Sequence, residues 1–164
     1  VWVSGREWSE FLRRQLEVSI RGLGSRLSDG FPDLPRFVSW LDAMIDGPMT
    51  WATKSLVHGD GYPGNVLVGD DGEVTTIVDF GRHTIVGDPR LDIAISVELA
   101  EMENGFTPQD TQFLRGLIDD DPDTTNCYRT YTAIILAAEY STDERIVRKC
   151  LDSLRETMPD CQGI

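Results

Sequence analysis

The sequence contains no apolar run approaching the ~20 residues that a helix needs to cross a bilayer. Its opening, VWVSGREWSE, lacks the basic-then-apolar order of a signal peptide. A cytoplasmic protein with no membrane partner is therefore expected. Cysteine is scarce: Cys127, Cys150 and Cys161 are widely spaced and odd in number, with no CxxC pair. That argues against a disulfide framework or a zinc site and favours reduced, structural thiols. Lysine occurs only at Lys54 and Lys149, and no GxxxxGK[ST] loop is present to hold phosphates. Positive charge is short overall, with 15 Lys plus Arg against 28 Asp plus Glu and a net charge of -13. Such a chain repels a phosphate backbone at long range, so nucleic acid is not an expected partner.

What remains is a chain of 164 residues, 40% hydrophobic and 26% charged, the size and balance of one globular domain. From Ser4 to Leu27, apolar residues at Trp8, Phe11, Leu12, Leu16, Ile20, Leu23 and Leu27 recur at spacings of three and four, which predicts an amphipathic helix. Ser4 and Glu7 are placed as a capping box at its start. The Pro- and Gly-containing stretch SDGFPDLP reads as a connector, and Phe37 to Ile45 as a second helix stopped by Gly47-Pro48. The pattern then changes. Ser55 to His58 is a short extended run, and Asn65 to Val68 with Val74 to Val78 flank the turn Gly69-Asp70-Asp71-Gly72 as a β-hairpin. Helices resume at Arg90 to Glu103, at Thr107 (cap) and Pro108 to about Leu117, and at Asn126 to Tyr140, and a last helix is capped by Thr142 and ends near Pro159. The expected class is α+β, mainly helical, with a small central β-hairpin.

Polar residues concentrate where structure alone does not ask for them, in LVHGDGYPGNVLVGDDGEVTTIVDFGRHTIVGDPRLDIA. Asp60 follows a strand, Asn65 begins another, and Asp79 ends the next. If the hairpin strands pair, Asn65 and Asp79 meet at its open end and can share one cation. Phosphoryl transfer from ATP needs such an oxygen-rich Mg²⁺ site and a carboxylate beside the attacking hydroxyl. Asp60, a few residues before Asn65, is placed to accept that proton. The spacing D-x-x-x-x-N followed by D-F-G is that of a protein-kinase catalytic loop, here Asp60 to Asn65 and Asp79-Phe80-Gly81.

HGDGYPGN, IVDFG and GDPRLDIA together resemble the C-terminal lobe of the aminoglycoside phosphotransferase family, a group with the protein-kinase-like fold. The resemblance implies an ATP-dependent phosphotransferase acting on a hydroxyl of an aminoglycoside-like or other small substrate. It implies Asp60 as catalytic base, Asn65 and Asp79 as Mg²⁺ ligands, and His58 and Asp92 as supports of the catalytic loop. It also implies that residues 1–164 form one catalytic lobe, with the nucleotide-binding N-terminal lobe and its strand lysine absent from this chain. An isolated lobe of this kind should be nearly inactive. Plainer readings exist for single residues: His58 as a buried hydrogen-bonded histidine, Asp92 as a charge favoured at a helix N-terminus, Asp70 and Asp71 as turn residues, and Asp119 to Asp121 as a solvated loop. A non-catalytic lobe acting as a binding module or pseudo-enzyme is the alternative function. A metal-dependent hydrolase on Asp60 and Asp79 is disfavoured, since His58 and His83 are the only histidines.

Overall fold

A computed structural model describes residues 5–30, 34–47, 49, 55–81, 83–102, 105–117 and 122–157. The chain runs α1 (Gly5–Leu23), α2 (Ser25–Gly30), α3 (Leu34–Asp46), β1 (Ser55–Val57), β2 (Val66–Val68), β3 (Val74–Ile77), β4 (Ile85–Gly87), α4 (Arg90–Met102), α5 (Pro108–Leu117), α6 (Pro122–Glu139) and α7 (Glu144–Thr157). It is mainly helical α+β, and the strands form two antiparallel pairs, β1 with β4 and β2 with β3. Among the described residues no helix is long and apolar enough to cross a membrane.

Helix α6 is the axis of the bundle, packed against α1, α3, α4 and α7. Its sequence permits this because Cys127, Tyr128, Tyr131, Ala133, Ile134 and Ala137 are all buried, leaving little of the helix for water. Trp8, Leu12 and Leu16 of α1 and Phe37, Leu41 and Ile45 of α3 close the core on one side, and Cys150 and Leu154 of α7 on another. Two buried polar groups on α6 are paired: Arg129 Nε donates to Glu98 Oε1 at 2.8 Å, and Thr130 and Thr157 hydroxyls lie 2.7 Å apart. Burial first, and the Glu98 carboxylate second, push the Cys150 thiol up to about 12, so it stays a packing group rather than a nucleophile.

Local chemistry explains where the elements depart from their sequence pattern. The first helix breaks at Gly24, which has a φ of 53° and donates to Ile20 O at 3.1 Å, and α2 continues to Gly30 inside the presumed connector. Helix α6 starts at Pro122 rather than Asn126, since proline's fixed φ suits a first helical turn. The last helix is capped by Asp143 and not by Thr142: Asp143 Oδ1 accepts from Arg145 N at 2.9 Å and Ile146 N at 3.2 Å. At α5 the Thr107 hydroxyl accepts from Asp110 N at 3.3 Å while Asp110 Oδ2 accepts from Thr107 N at 2.8 Å, a reciprocal cap. The Thr107 N–H first, and the Thr107 hydroxyl donating to the same Asp110 Oδ2 at 2.7 Å second, hold the Asp110 carboxyl below the usual carboxylate range. Ser4, Pro48, Lys54, Arg82, Glu103, Asp119 to Asp121, Pro159 and Cys161 lie outside the described residues.

The β2–β3 hairpin projects from the helical body. Leu67, Val68, Val74 and Ile77 are 47–61% exposed, and Phe80 just beyond them is 51% exposed. A two-stranded sheet with both faces open gains little from burial on its own.

Candidate functional site

The site grows from the end of β1. Val57 is buried and pairs with Ile85 of β4, so the chain leaving β1 at His58 is fixed at its base. Gly59 then turns with a φ of 80°, and a Cβ at this position would lie 2.4 Å from His83 O, which only glycine avoids. Asp92, in the first turn of α4, reaches across to this turn: its Oδ2 accepts from His58 N at 2.7 Å and its Oδ1 from Gly59 N at 2.8 Å. Thr84 Oγ1 donates to His58 O at 3.1 Å, and Ser96 Oγ lies 3.0 Å from Gly61 O. The loop is thus tied to α4 and to the strand that returns beside it.

The His58 ring orders the other half of the site. Its Nδ1 accepts from Asp60 N at 3.3 Å, which leaves the proton on Nε2 to be donated to Val78 O at 2.8 Å. The ring also meets Phe80, with centroids 4.5 Å apart. Val78 is the meeting point, because its N–H donates to Asn65 O at 2.9 Å while its carbonyl holds His58. Asn65 in turn donates from Nδ2 to Asp60 O and Asp60 Oδ2, both at 3.1 Å.

Asp79 follows Val78 directly. Its φ is 63°, making it the one described non-glycine residue in the left-handed region. Aspartate tolerates that conformation better than most side chains, and backbone strain of this kind collects at working sites. Asp60, Asp79, His58, His83 and Glu139 line one cleft of about 290 Å³, with His83 Nε2 3.8 Å from Glu139 Oε1. The structure therefore brings the Asp60 and Asp79 side chains to one space and ties Asn65 to Asp60 by hydrogen bonds. Asn65 and Asp79 are related through Val78, the residue opposite Asn65 across the hairpin.

Two groups that sequence reasoning left without a role lie near this arrangement. Asp88, 2% exposed, accepts from Arg90 Nε at 2.8 Å and from the Tyr128 hydroxyl at 2.7 Å, and Trp8 Nε1 donates to that hydroxyl at 3.3 Å. This network joins α1 and α6 to the chain just after β4. Gly87 is part of the same junction, since a Cβ there would lie 2.2 Å from the Trp8 ring. The second is Thr132 of α6, whose buried hydroxyl has no hydrogen-bond partner. The GDP run pointed to Asp88, but nothing in an apolar helical stretch marked Thr132.

Asp92 yields a direct expectation. Asp92→Ala removes the acceptor of two part-buried backbone N–H groups and should cost about 2–3 kcal/mol of stability, read from denaturant midpoints. Asp92→Asn, which keeps one acceptor oxygen, should lose less. Equal, small losses for both would show that the loop does not depend on these bonds.

Residues 4–129 match the sequence profile of the phosphotransferase enzyme family (APH). No curated protein and no solved structure matches the chain.

Proposed function

The chain belongs to the phosphotransferase enzyme family, which implies a kinase-like fold, and from that premise we propose that it is the catalytic lobe of a cytoplasmic, ATP-dependent small-molecule kinase. The observation that carries this reading is the shared cleft of Asp60 and Asp79, with Asn65 bonded to Asp60. In the proposed reaction the acceptor's hydroxyl oxygen forms a bond to the γ-phosphorus of ATP as the bond from that phosphorus to the β,γ-bridging oxygen breaks. ADP leaves, and the hydroxyl proton passes to the Asp60 carboxylate. Asn65 Nδ2 fixes one oxygen of that carboxylate, leaving the other for the proton. His58, donating from Nε2 to Val78 O, holds the strand end that carries Asp79 against the loop that carries Asp60.

The donor set suits Mg²⁺. Asp79 makes no hydrogen bond or ion pair within the described chain, and Asn65, with its amide N engaged at Asp60, has its carbonyl oxygen available. Mg²⁺ prefers a few hard oxygen ligands completed by substrate phosphates and water, and among the described residues no three His, Cys, Asp or Glu side chains converge closely enough to hold a metal ion by themselves. Bound between Asn65 and Asp79, the ion would neutralise charge on the phosphates. The nucleotide itself needs a further lobe. The described lysine, Lys149, is occupied with Glu101 O and Met102 O, each at 3.0 Å, and the exposed apolar hairpin offers a face for that lobe to cover.

The test is to supply Mg-ATP to the intact protein with aminoglycosides, choline, homoserine and sugar amines, and to follow the phosphorylated product. Product should form only with the divalent ion, and Asp79→Ala should lower the rate by about 10²–10³-fold. Absence of any product and of ATP turnover would leave a binding module as the function.

A further inference from the structure

Asp60 sits between Gly59 and Gly61, residues of the type with the most backbone freedom, so the direction of its carboxylate has to be fixed from outside the loop. On the N-terminal side Asp92 accepts from Gly59 N at 2.8 Å. On the C-terminal side the anchor is Ser96, one turn further along α4. Its Oγ lies 3.0 Å from Gly61 O, and a Cβ at Gly61 would lie 2.5 Å from that same Oγ and 2.9 Å from Asp92 O, so this glycine rests directly on the helix. Ser96 Oγ is also 2.9 Å from Asp92 O, the back-bond that a serine inside a helix commonly makes. A hydroxyl has one proton, so the two carbonyls share it. The back-bond alone would not bring a loop carbonyl within hydrogen-bond distance, and that second acceptor gives Ser96 a grip on the chain that carries Asp60.

Resting on the phosphotransfer reading above, we propose that Ser96 is a positioning residue of the reaction. Its hydroxyl, donating to Gly61 O, fixes the chain just after Asp60 and so aims the Asp60 carboxylate at the acceptor hydroxyl. Asp92 and Ser96, four residues apart and therefore on one face of α4, hold the two glycines on either side of the base. Proton transfer depends on that alignment, since a misplacement of ~1 Å can cost on the order of 10²-fold in rate. Ser96 acts through Gly61 and has no proposed contact with nucleotide, metal or acceptor.

The test assays the intact protein with Mg-ATP and kanamycin, choline, homoserine or glucosamine, unsubstituted and as Ser96→Ala and Ser96→Cys. Alanine removes the hydroxyl, and cysteine keeps the small side chain but donates weakly. Both variants should lower kcat about tenfold for any acceptor that the unsubstituted protein phosphorylates, with KM for acceptor and for ATP within about twofold and the denaturant midpoint no lower. Gly61→Ala presses on the same contact from the loop, so adding Ser96→Ala to it should lower kcat by less than about twofold more. A kcat retained in Ser96→Ala, or retained in Ser96→Cys because packing alone suffices, would overturn this inference while leaving the phosphotransferase reading intact. So would losses that multiply in the double variant, or a fall in kcat that comes with a lower midpoint and weaker ATP binding. No product from any acceptor, with no ATP turnover by the unsubstituted protein, would overturn both.

Discussion

Asp60→Asn in the intact protein is expected to lower turnover by about 10²–10⁴-fold, the usual contribution of a positioned general base. ATP affinity should be unchanged, because the role proposed for Asp60 is toward the acceptor hydroxyl and the substitution removes no proposed phosphate or metal contact. The substitution is nearly isosteric, and the Asp60 carbonyl still accepts from Asn65 Nδ2, so the loop should keep its shape. The measurement is a pair: initial rate of acceptor phosphorylation, and nucleotide affinity by calorimetry. Turnover retained within a few fold removes Asp60 from the chemistry. A loss of rate and of nucleotide affinity together would instead mean that Asp60 belongs to the metal site.

The largest expected effect on stability is at Asp88. This carboxylate is 2% exposed and satisfies both Arg90 and the Tyr128 hydroxyl. Asp88→Ala removes the carboxylate that a part-buried guanidinium and a buried phenol share, and breaking a buried pair in this way costs about 3–5 kcal/mol. Tyr128→Phe, which removes only the hydroxyl, should cost about 1 kcal/mol. Denaturant unfolding of both variants checks the ratio, and a similar small loss for each would show that the network does not hold α1 and α6 to the site. The same network predicts an alkaline limit. Burial first, and the Asp88 charge second, push the Tyr128 phenol above its ordinary value. The unfolded phenol ionises near pH ~10 while the folded one does not, so this contribution is complete below about pH 10 and declines as pH rises beyond it.

Much of this architecture was legible because its signals are local. The Thr107 and Pro108 pair announces α5, and two β-branched runs around Gly69-Asp70-Asp71-Gly72 announce the hairpin found as Val66–Val68 with Val74–Ile77. Strand β4 was not legible: three residues carry no periodicity, and Ile85–Gly87 is a strand only because β1 lies beside it. Asp92 illustrates a different limit. A carboxylate in a helix's first turn reads equally as a dipole partner or as a loop partner, and only the distances to His58 N and Gly59 N place it on the loop. For His58 the plain reading is the observed one, a buried histidine bonded to Asp60 N and Val78 O. The surroundings of Asp88 and of Thr132 were opaque for a common reason. Their partners, or their want of one, depend on helices far away in the chain.

The pairing of β1 with β4 has a consequence for how variation can enter this protein. Everything from His58 to Thr84 is one excursion of chain whose two ends are stapled together at Ser55–Val57 and Ile85–Gly87. Lengthening or shortening the Gly69–Gly72 tip changes only the outer end of that excursion, away from the stapled base. Substitutions on α4, although remote in sequence, act on the anchored end where Asp92 grips it. Diversity among descendants of this sequence should therefore accumulate at the tip, and intolerance at the helix.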